Sequence, residues 1–274
     1  VDYPQYNSLL IPPLVLVWGY MKIHNVAQGT GEWLRLRLGM ITGTRLKSVM
    51  GGKQAQKTLV YELVAEQLSG RAEELYRTPA MQWGTDHEAE AVELYEEQTG
   101  VKTEEVGFCV SKKMTYLGLS PDRLIKRGKK YVKGVEVKCP STKVAVKYRA
   151  EGGIPSEYKW QVINYFLVCE DMQELDFVVY DPRIIRPELK LHIATVTRED
   201  LQEDIDAAKK RLESFRDDWR LVWEKLSPDV SEDVCPTCNN DRGVEVIGDG
   251  DNFEVDVIDY KPCPDCEYED VIQD

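Results

Sequence analysis

The sequence predicts a mixed α/β fold, a central sheet flanked by helices, with a small cysteine-bearing module after it. Three observations predict it. In the first third, apolar residues recur at helical spacing, as in Leu59, Val60, Leu63, Val64 and Leu68. Four short β-type runs then follow between residues 105 and 139. Helices and strands alternate beyond them, until the composition changes altogether near residue 229.

Thr42 or Gly43 starts a short helix that stops at Gly51-Gly52, and a longer one spans about 54–68. A third helix, about 81–98, carries Ala91, Leu94 and Tyr95 on its apolar stripe and ends at Gly100. Strands are expected at about 105–110, 115–119, 122–126 and 131–139, the last two joined by a turn at 126–130 around Gly128. Cys139-Pro140-Ser141 stops the fourth strand and caps a helix at about 142–149. The Glu151-Gly152-Gly153-Ile154-Pro155 turn leads to a helix at about 156–169. Strands at 174–180 and 189–196 precede a long helix from 198 to about 225.

A chain of 274 residues has room for one large domain and an appendage. Its 42% hydrophobic and 30% charged content is that of an ordinary globular protein, which sets aside disordered and fibrous classes. No run is long enough to span a membrane. Residues 1–20 read as a loosely ordered extension, since the stretch Leu14 to Tyr20 is too short and lacks the basic flank of a signal peptide. Residues 21–228 read as the main domain and 229–274 as an acidic tail.

The net charge of −13 lies entirely in that tail. Of 48 acids and 35 bases, it holds 15 acids and two bases (Arg242 and Lys261), leaving 33 of each in residues 1–228. A neutral domain still binds phosphates when its cations line one channel. The candidates are Arg35, Arg37, Arg45, Lys47, Lys53, Lys57, Lys143, Lys147, Arg149 and Lys159.

The tail also carries Cys235-Pro-Thr-Cys238 and Cys263-Pro-Asp-Cys266, 24 residues apart. Two such knuckles read as a zinc ribbon, in which Cys235, Cys238, Cys263 and Cys266 hold a structural Zn²⁺ with no open position. An iron–sulfur cluster is the minor alternative. Cys109, Cys139 and Cys169 are isolated and read as buried apolar residues, so a reducing, cytoplasmic compartment fits all seven.

Chemistry concentrates between Ser120 and Lys138. Ser-Pro-Asp-Arg is followed, after the turn, by Gly-Val-Glu-Val-Lys. Side chains on a strand alternate, so Glu136 and Lys138 point one way while Val135 and Val137 face the core. The hairpin brings Asp122 and Glu136 together beside an ammonium. Hard cations such as Mg²⁺ take oxygen ligands of this kind, and the lysine can orient or deprotonate an attacking water. A bare match of this sort also arises on solvated hairpins. No histidine stands where a general base is needed, and no Gly-Lys-Ser/Thr loop points to ATP hydrolysis.

Seven blocks place the hairpin in a family. They are Glu32-Trp33-Leu34-Arg35-Leu36-Arg37-Leu38-Gly39-Met40-Ile41-Thr42-Gly43-Thr44, Trp83-Gly84 to Glu88, Ser120-Pro121-Asp122, Glu136-Val137-Lys138-Cys139-Pro140, Gly152-Gly153, Gln161, and Tyr180-Asp181-Pro182-Arg183. In this order, over roughly residues 24–226, the chain resembles the lambda-type phage exonucleases, the YqaJ-like viral recombinase branch of the PD-(D/E)xK nucleases. The resemblance implies a restriction-endonuclease-like core and a Mg²⁺- (or Mn²⁺-) dependent 5′→3′ exonuclease. Acting on linear double-stranded DNA, it would leave 3′ overhangs for recombination.

The resemblance further implies that Asp122, Glu136 and the Val137 carbonyl hold the metal, joined by Glu88 directly or through water. Lys138 positions the nucleophile, and Gln161 orients the same water or holds Lys138. Arg37 and Thr44 hold a terminal 5′-phosphate beside Trp33, and Met81 falls at a strand-separating wedge. The implied partners are DNA ends, a single-strand annealing protein and two further copies in a ring, in a phage or prophage setting within a bacterial host. Another PD-(D/E)xK endonuclease, or a non-catalytic DNA-end-binding adaptor, are the alternatives.

Overall fold

The computed structural model describes residues 21–71 and 78–226; the expected extension 1–20 and the four-cysteine module lie outside the described residues. The described residues as far as Val222 make one compact unit. In chain order its elements are β1 (Lys22–His24), α1 (Gly31–Leu36), α2 (Gly43–Val49), α3 (Lys53–Ser69), α4 (Pro79–Thr99), β2 (Phe108–Val110), β3 (Gly118–Leu119), β4 (Arg123–Arg127) and β5 (Lys130–Lys138). They continue with α5 (Thr142–Glu151), α6 (Lys159–Val168), β6 (Glu174–Tyr180), α7 (Pro187–Lys190), β7 (Leu191–Thr197) and α8 (Gln202–Leu226). Among the described residues, no helix is long and apolar enough to cross a membrane.

The mixed α/β class holds, but the single central sheet does not. The strands form two sheets, a three-stranded one in the order β1-β2-β3 and a four-stranded one in the order β4-β5-β6-β7. The first is antiparallel throughout. In the second, β5 runs parallel to β6, while β4 and β7 pair antiparallel at the edges. β5 and β6 therefore form a buried centre, and apolar residues on both sides of β6 follow from that position.

Element ends also move. Residues 189 and 190 belong to the helical turn α7 because Pro187, which has no N–H to lose, sits at its first position. Ser156–Tyr158 is a 3-10 turn that leads into α6. Arg198 stays outside α8 because its guanidinium caps the α6 end, donating to the carbonyls of Phe166 (2.8 Å), Cys169 (3.1 Å) and Met172 (2.8 Å). β1 and α1 were not predicted; three and six residues are too few to display a period.

β5 positions the site because both its faces are covered. Val135 and Val137 pack in a cluster with Ala91, Val92 and Tyr95 of α4 and with Val178, Tyr180 and Leu191. On the other face Gly134 and Glu136 lie under α6. A Cβ on Gly134 would sit 2.8 Å from the Tyr165 ring, so glycine lets α6 come down onto the strand. Asn164 ties the same helix to β3, donating to the Gly118 carbonyl at 2.9 Å.

This close approach gives a test. Gly134→Ala should destabilise the chain by about 1–3 kcal/mol through overpacking, read as a lowered midpoint of thermal unfolding. An unchanged midpoint would mean that α6 does not rest on Gly134.

Candidate functional site

Strand register brings the acids together. Arg123 lies opposite Val135 in the antiparallel β4–β5 pair, and one further step sets Asp122 opposite Glu136. Directly opposed residues share a face, with Cβ atoms about 4.5–5.5 Å apart. Beyond the end of β4, the Asp122 carboxylate takes over the edge of β5, where its Oδ2 accepts the Val137 N–H at 2.7 Å. In a strand the N–H and C=O of one residue leave by the same edge, so the Val137 carbonyl emerges beside Asp122.

Glu136 is fully buried. Its Oε1 accepts hydrogen bonds from Lys138 and from Gln161, and its Oε2 accepts the Tyr165 hydroxyl at 2.6 Å. The same hydroxyl oxygen accepts the Asp122 backbone N–H at 3.2 Å. Gln161 and Tyr165 are four residues apart on α6 and so share one face. Gln161 thus holds Glu136, whereas the sequence had it hold Lys138 or a water. Tyr165 was missed altogether. Its spacing from Gln161 was the available signal, but an aromatic inside an apolar helix reads as core.

Gly43 brings the N-terminal block against this cluster, since a Cβ there would lie 2.9 Å from Gln161 Cγ. Glu88, one-third exposed on α4, meets Arg123 at 3.6 Å. Arg123, a second residue missed, also reaches Glu105 at 3.7 Å and donates to its neighbour's carbonyl, Asp122, at 2.6 Å. An arginine after an aspartate gave no sequence signal, because it reads as a solvated charge.

The charges are strongly coupled. Burial, then the neighbouring Glu136 carboxylate, pushes the Asp122 carboxyl well above its usual range, against the opposing pull of Lys138. Burial likewise raises Glu88, although Arg123 and Lys138 pull it down. For Lys138 burial presses downward, but the charges of Glu136 and Asp122 outweigh it and hold the ammonium above its ordinary value. The two carboxylates thus hold Lys138 as their counter-charge.

A divalent cation suits these donors. Asp122, Glu136 and the Val137 carbonyl offer hard oxygens, and burial penalises the ionised form of the Asp122 carboxyl until a positive charge offsets it. Among the described residues no group of three or more acid, histidine or cysteine side chains is placed to hold a metal ion, so Glu88 does not join Asp122 and Glu136 as a third side-chain ligand here. An open site with two carboxylates is the arrangement Mg²⁺ favours, since it keeps several waters and takes substrate phosphate oxygens.

The residues expected at a DNA end fall into two groups. Arg37 Nη1 and Trp33 Nε1 both donate to Ser120 Oγ, at 2.7 and 3.0 Å, and the guanidinium lies 4.1 Å from the Trp33 ring centre. Burial, with Arg45 nearby, lowers Arg37 to about 10. Ser120 stands two residues before Asp122, so this pair adjoins the acids. Thr44 is exposed at the second position of α2, and Met81 is exposed in the first turn of α4.

Some candidate phosphate cations are engaged internally. Arg45 pairs with buried Glu66, Arg149 donates to the Leu191 carbonyl at 2.7 Å, Lys147 meets Glu151 at 3.9 Å and Lys159 meets Asp204 at 2.8 Å. Each offsets a local acid or carbonyl; only the Lys147–Glu151 pair, four residues apart on one helix, could be read from the sequence.

Comparison with known proteins gives a consistent result. Residues 32–171 match the model of the YqaJ-like viral recombinase domain. The chain is similar to the alkaline exonuclease LHK-Exo of Laribacter hongkongensis, with 27% identity and a TM-score of 0.62 over 73% of this chain and 99% of that one. The structure of LHK-Exo in complex with dAMP matches with the same values. A phage-related exonuclease from Haemophilus somnus 129PT shares the fold at 15% identity and a TM-score of 0.51, over 69% of this chain and 96% of its own. No curated protein matches.

The raised Asp122 carboxyl has a consequence for stability. With a folded value above the unfolded one, the native state binds the extra proton, and stability falls as pH rises from the ordinary 3.8 through the folded value. In chelator, Asp122→Asn should therefore unfold at a higher temperature than wild type at pH 8, with the gap closing toward pH 4. A variant less stable at both pH values would show that the carboxylate is not penalised.

Proposed function

This chain belongs to the YqaJ-like viral recombinase family, and from that premise we propose that it is a metal-dependent 5′→3′ exonuclease acting on double-stranded DNA ends. The observation that carries the reading is the opposition of Asp122 and Glu136 across one strand pair, with Lys138 on the same face. The likeness to LHK-Exo, an alkaline exonuclease also seen with dAMP, supports a DNA substrate.

In this reading Asp122, Glu136 and the Val137 carbonyl would hold a Mg²⁺ or Mn²⁺ ion, which Glu88 would join through water. The ion would supply Lewis acidity at the scissile phosphate and a more acidic water. The protein's own residues do the rest. Tyr165 and Gln161 fix the Glu136 carboxylate, so that its oxygens are aimed before substrate arrives. Lys138, kept cationic, orients the attacking water and offsets the charge that builds on the phosphate. Arg37 presents a guanidinium whose fork matches a phosphate, with Trp33 stacked against it. A 5′-phosphate would replace Ser120 Oγ there, and Thr44 and Met81 would meet the strands at the rim.

Digestion from 5′ ends leaves 3′ single strands, the substrate of a strand-annealing partner in recombination. A ring of three copies would keep the enzyme on its DNA. The four tail cysteines, Cys235, Cys238, Cys263 and Cys266, complete the reading as a structural Zn²⁺ site.

The test compares 5′-phosphorylated linear duplex with covalently closed circular DNA, in Mg²⁺ and in chelator. Linear DNA should be degraded only with Mg²⁺ and the circle left intact. Lys138→Ala should lower kcat by about 10²–10³-fold, and Arg37→Ala should erase the preference for phosphorylated over hydroxyl ends. Cleavage of the circle would point to an endonuclease, and hydrolysis that survives Asp122→Ala would show that the site lies elsewhere.

A further inference from the structure

The block Tyr180-Asp181-Pro182-Arg183 has no role in the proposed exonuclease chemistry, yet its arginine joins three separate parts of the fold. Asp181, fully buried at the end of β6, accepts the Arg183 Nε–H at 2.6 Å and the Arg183 backbone N–H at 3.1 Å on one oxygen, Oδ1. That pair fixes the guanidinium. Its Nη2 then donates to the Pro140 carbonyl at 2.7 Å, two residues past Lys138. Its planar face lies 4.4 Å from the ring centre of Trp83.

Trp83 is also stacked on His87, with ring centres 3.8 Å apart. Its indole N–H is buried without a hydrogen-bond partner among the described residues. Stacking and packing, not hydrogen bonding, therefore fix the ring. The ring in turn packs against the cluster that contains Val137 and Cys139, the residues on either side of Lys138. His87 immediately precedes Glu88 on α4. A continuous chain of contacts thus runs from buried Asp181 through Arg183 and Trp83 to the helical turn that carries Glu88.

We propose that Arg183 is a positioning residue, which by clamping Trp83 to the end of β5 fixes the turn of α4 that carries Glu88 relative to the Asp122–Glu136 pair. The inference rests on the metal site of the proposed function and adds a residue that touches neither metal nor DNA. An arginine suits the task because one group supplies a fork for a carboxylate and a carbonyl together with a flat face for an indole. Lysine offers the charge without the plane. Residues that hold a ligand from behind are worth about 10–100-fold in metal affinity or activity.

The experiment is a Mn²⁺ titration of the full chain by calorimetry, beside kcat and KM on linear duplex. It uses wild type, Arg183→Met, Arg183→Lys, Trp83→Leu, Glu88→Ala and the Arg183→Met/Glu88→Ala double variant. Arg183→Met should weaken Mn²⁺ binding and lower kcat by about 10-fold each, with KM for DNA unchanged. Arg183→Lys should recover little, and Trp83→Leu should reproduce the loss. In the Glu88→Ala background Arg183→Met should add nothing, since it acts through Glu88.

Unchanged Mn²⁺ affinity in Arg183→Met, a further loss in the double variant, or a raised KM with kcat intact would overturn the proposal. The last result would make Arg183 a direct DNA contact. Should Arg183→Met fail to fold, Trp83→Leu carries the test, and wild-type affinity in that variant would overturn it. A wild type that binds Mn²⁺ but degrades no DNA would end the exonuclease reading, while the titration would still decide the role of Arg183.

Discussion

A carboxylate with no exposure to water, Glu136, sits in the middle of the four-stranded sheet, and the rest of the site is arranged to make that tolerable. Burying a charge is expensive unless it is paired and hydrogen-bonded. Here Lys138 supplies the opposite charge, and Gln161 and Tyr165 occupy oxygens that would otherwise be unsatisfied. Those donors come from one helix, α6, which must therefore lie close to β5. Gly134 permits the approach and Asn164 anchors it. The fold and the chemistry are thus the same constraint seen twice, because the helix that completes the core also aims the acid.

The second acid follows from where β4 begins. Asp122 stands one residue outside the strand, so its side chain replaces the next backbone acceptor along the β5 edge. A carboxylate placed there is fixed by the Val137 N–H, while the Tyr165 hydroxyl of α6 accepts the Asp122 backbone N–H and holds the residue beside Glu136. The result is a pair of neighbouring acids, one of which cannot ionise comfortably by itself. In the proposed function a divalent ion would offset both charges.

Much of this was legible in the sequence, and the reasons are specific. Asp122, Glu136 and Lys138 were readable because a strand alternates with period two, and a turn around Gly128 returned one strand on the other. The long helices α3 and α4 declared themselves through apolar spacing. The separation into two sheets was not readable, since β1 and β3 hold three and two residues and carry no pattern. Nor were the residues that act through partners distant in the chain. Tyr165 resembles any core aromatic, Arg123 any surface base, and Arg45 any candidate for DNA until Glu66 is seen beside it. Individual side chains announce their chemistry; their partners are fixed only when the chain folds.

The most direct measurement is the position of Mn²⁺ in a crystal soaked with the ion, located by its anomalous scattering. The expected peak lies within about 2.0–2.6 Å of one oxygen of Asp122 and one of Glu136, beside the Val137 carbonyl. A peak elsewhere on the molecule, or a filled site that touches only one of the two carboxylates, would contradict a shared ion between β4 and β5.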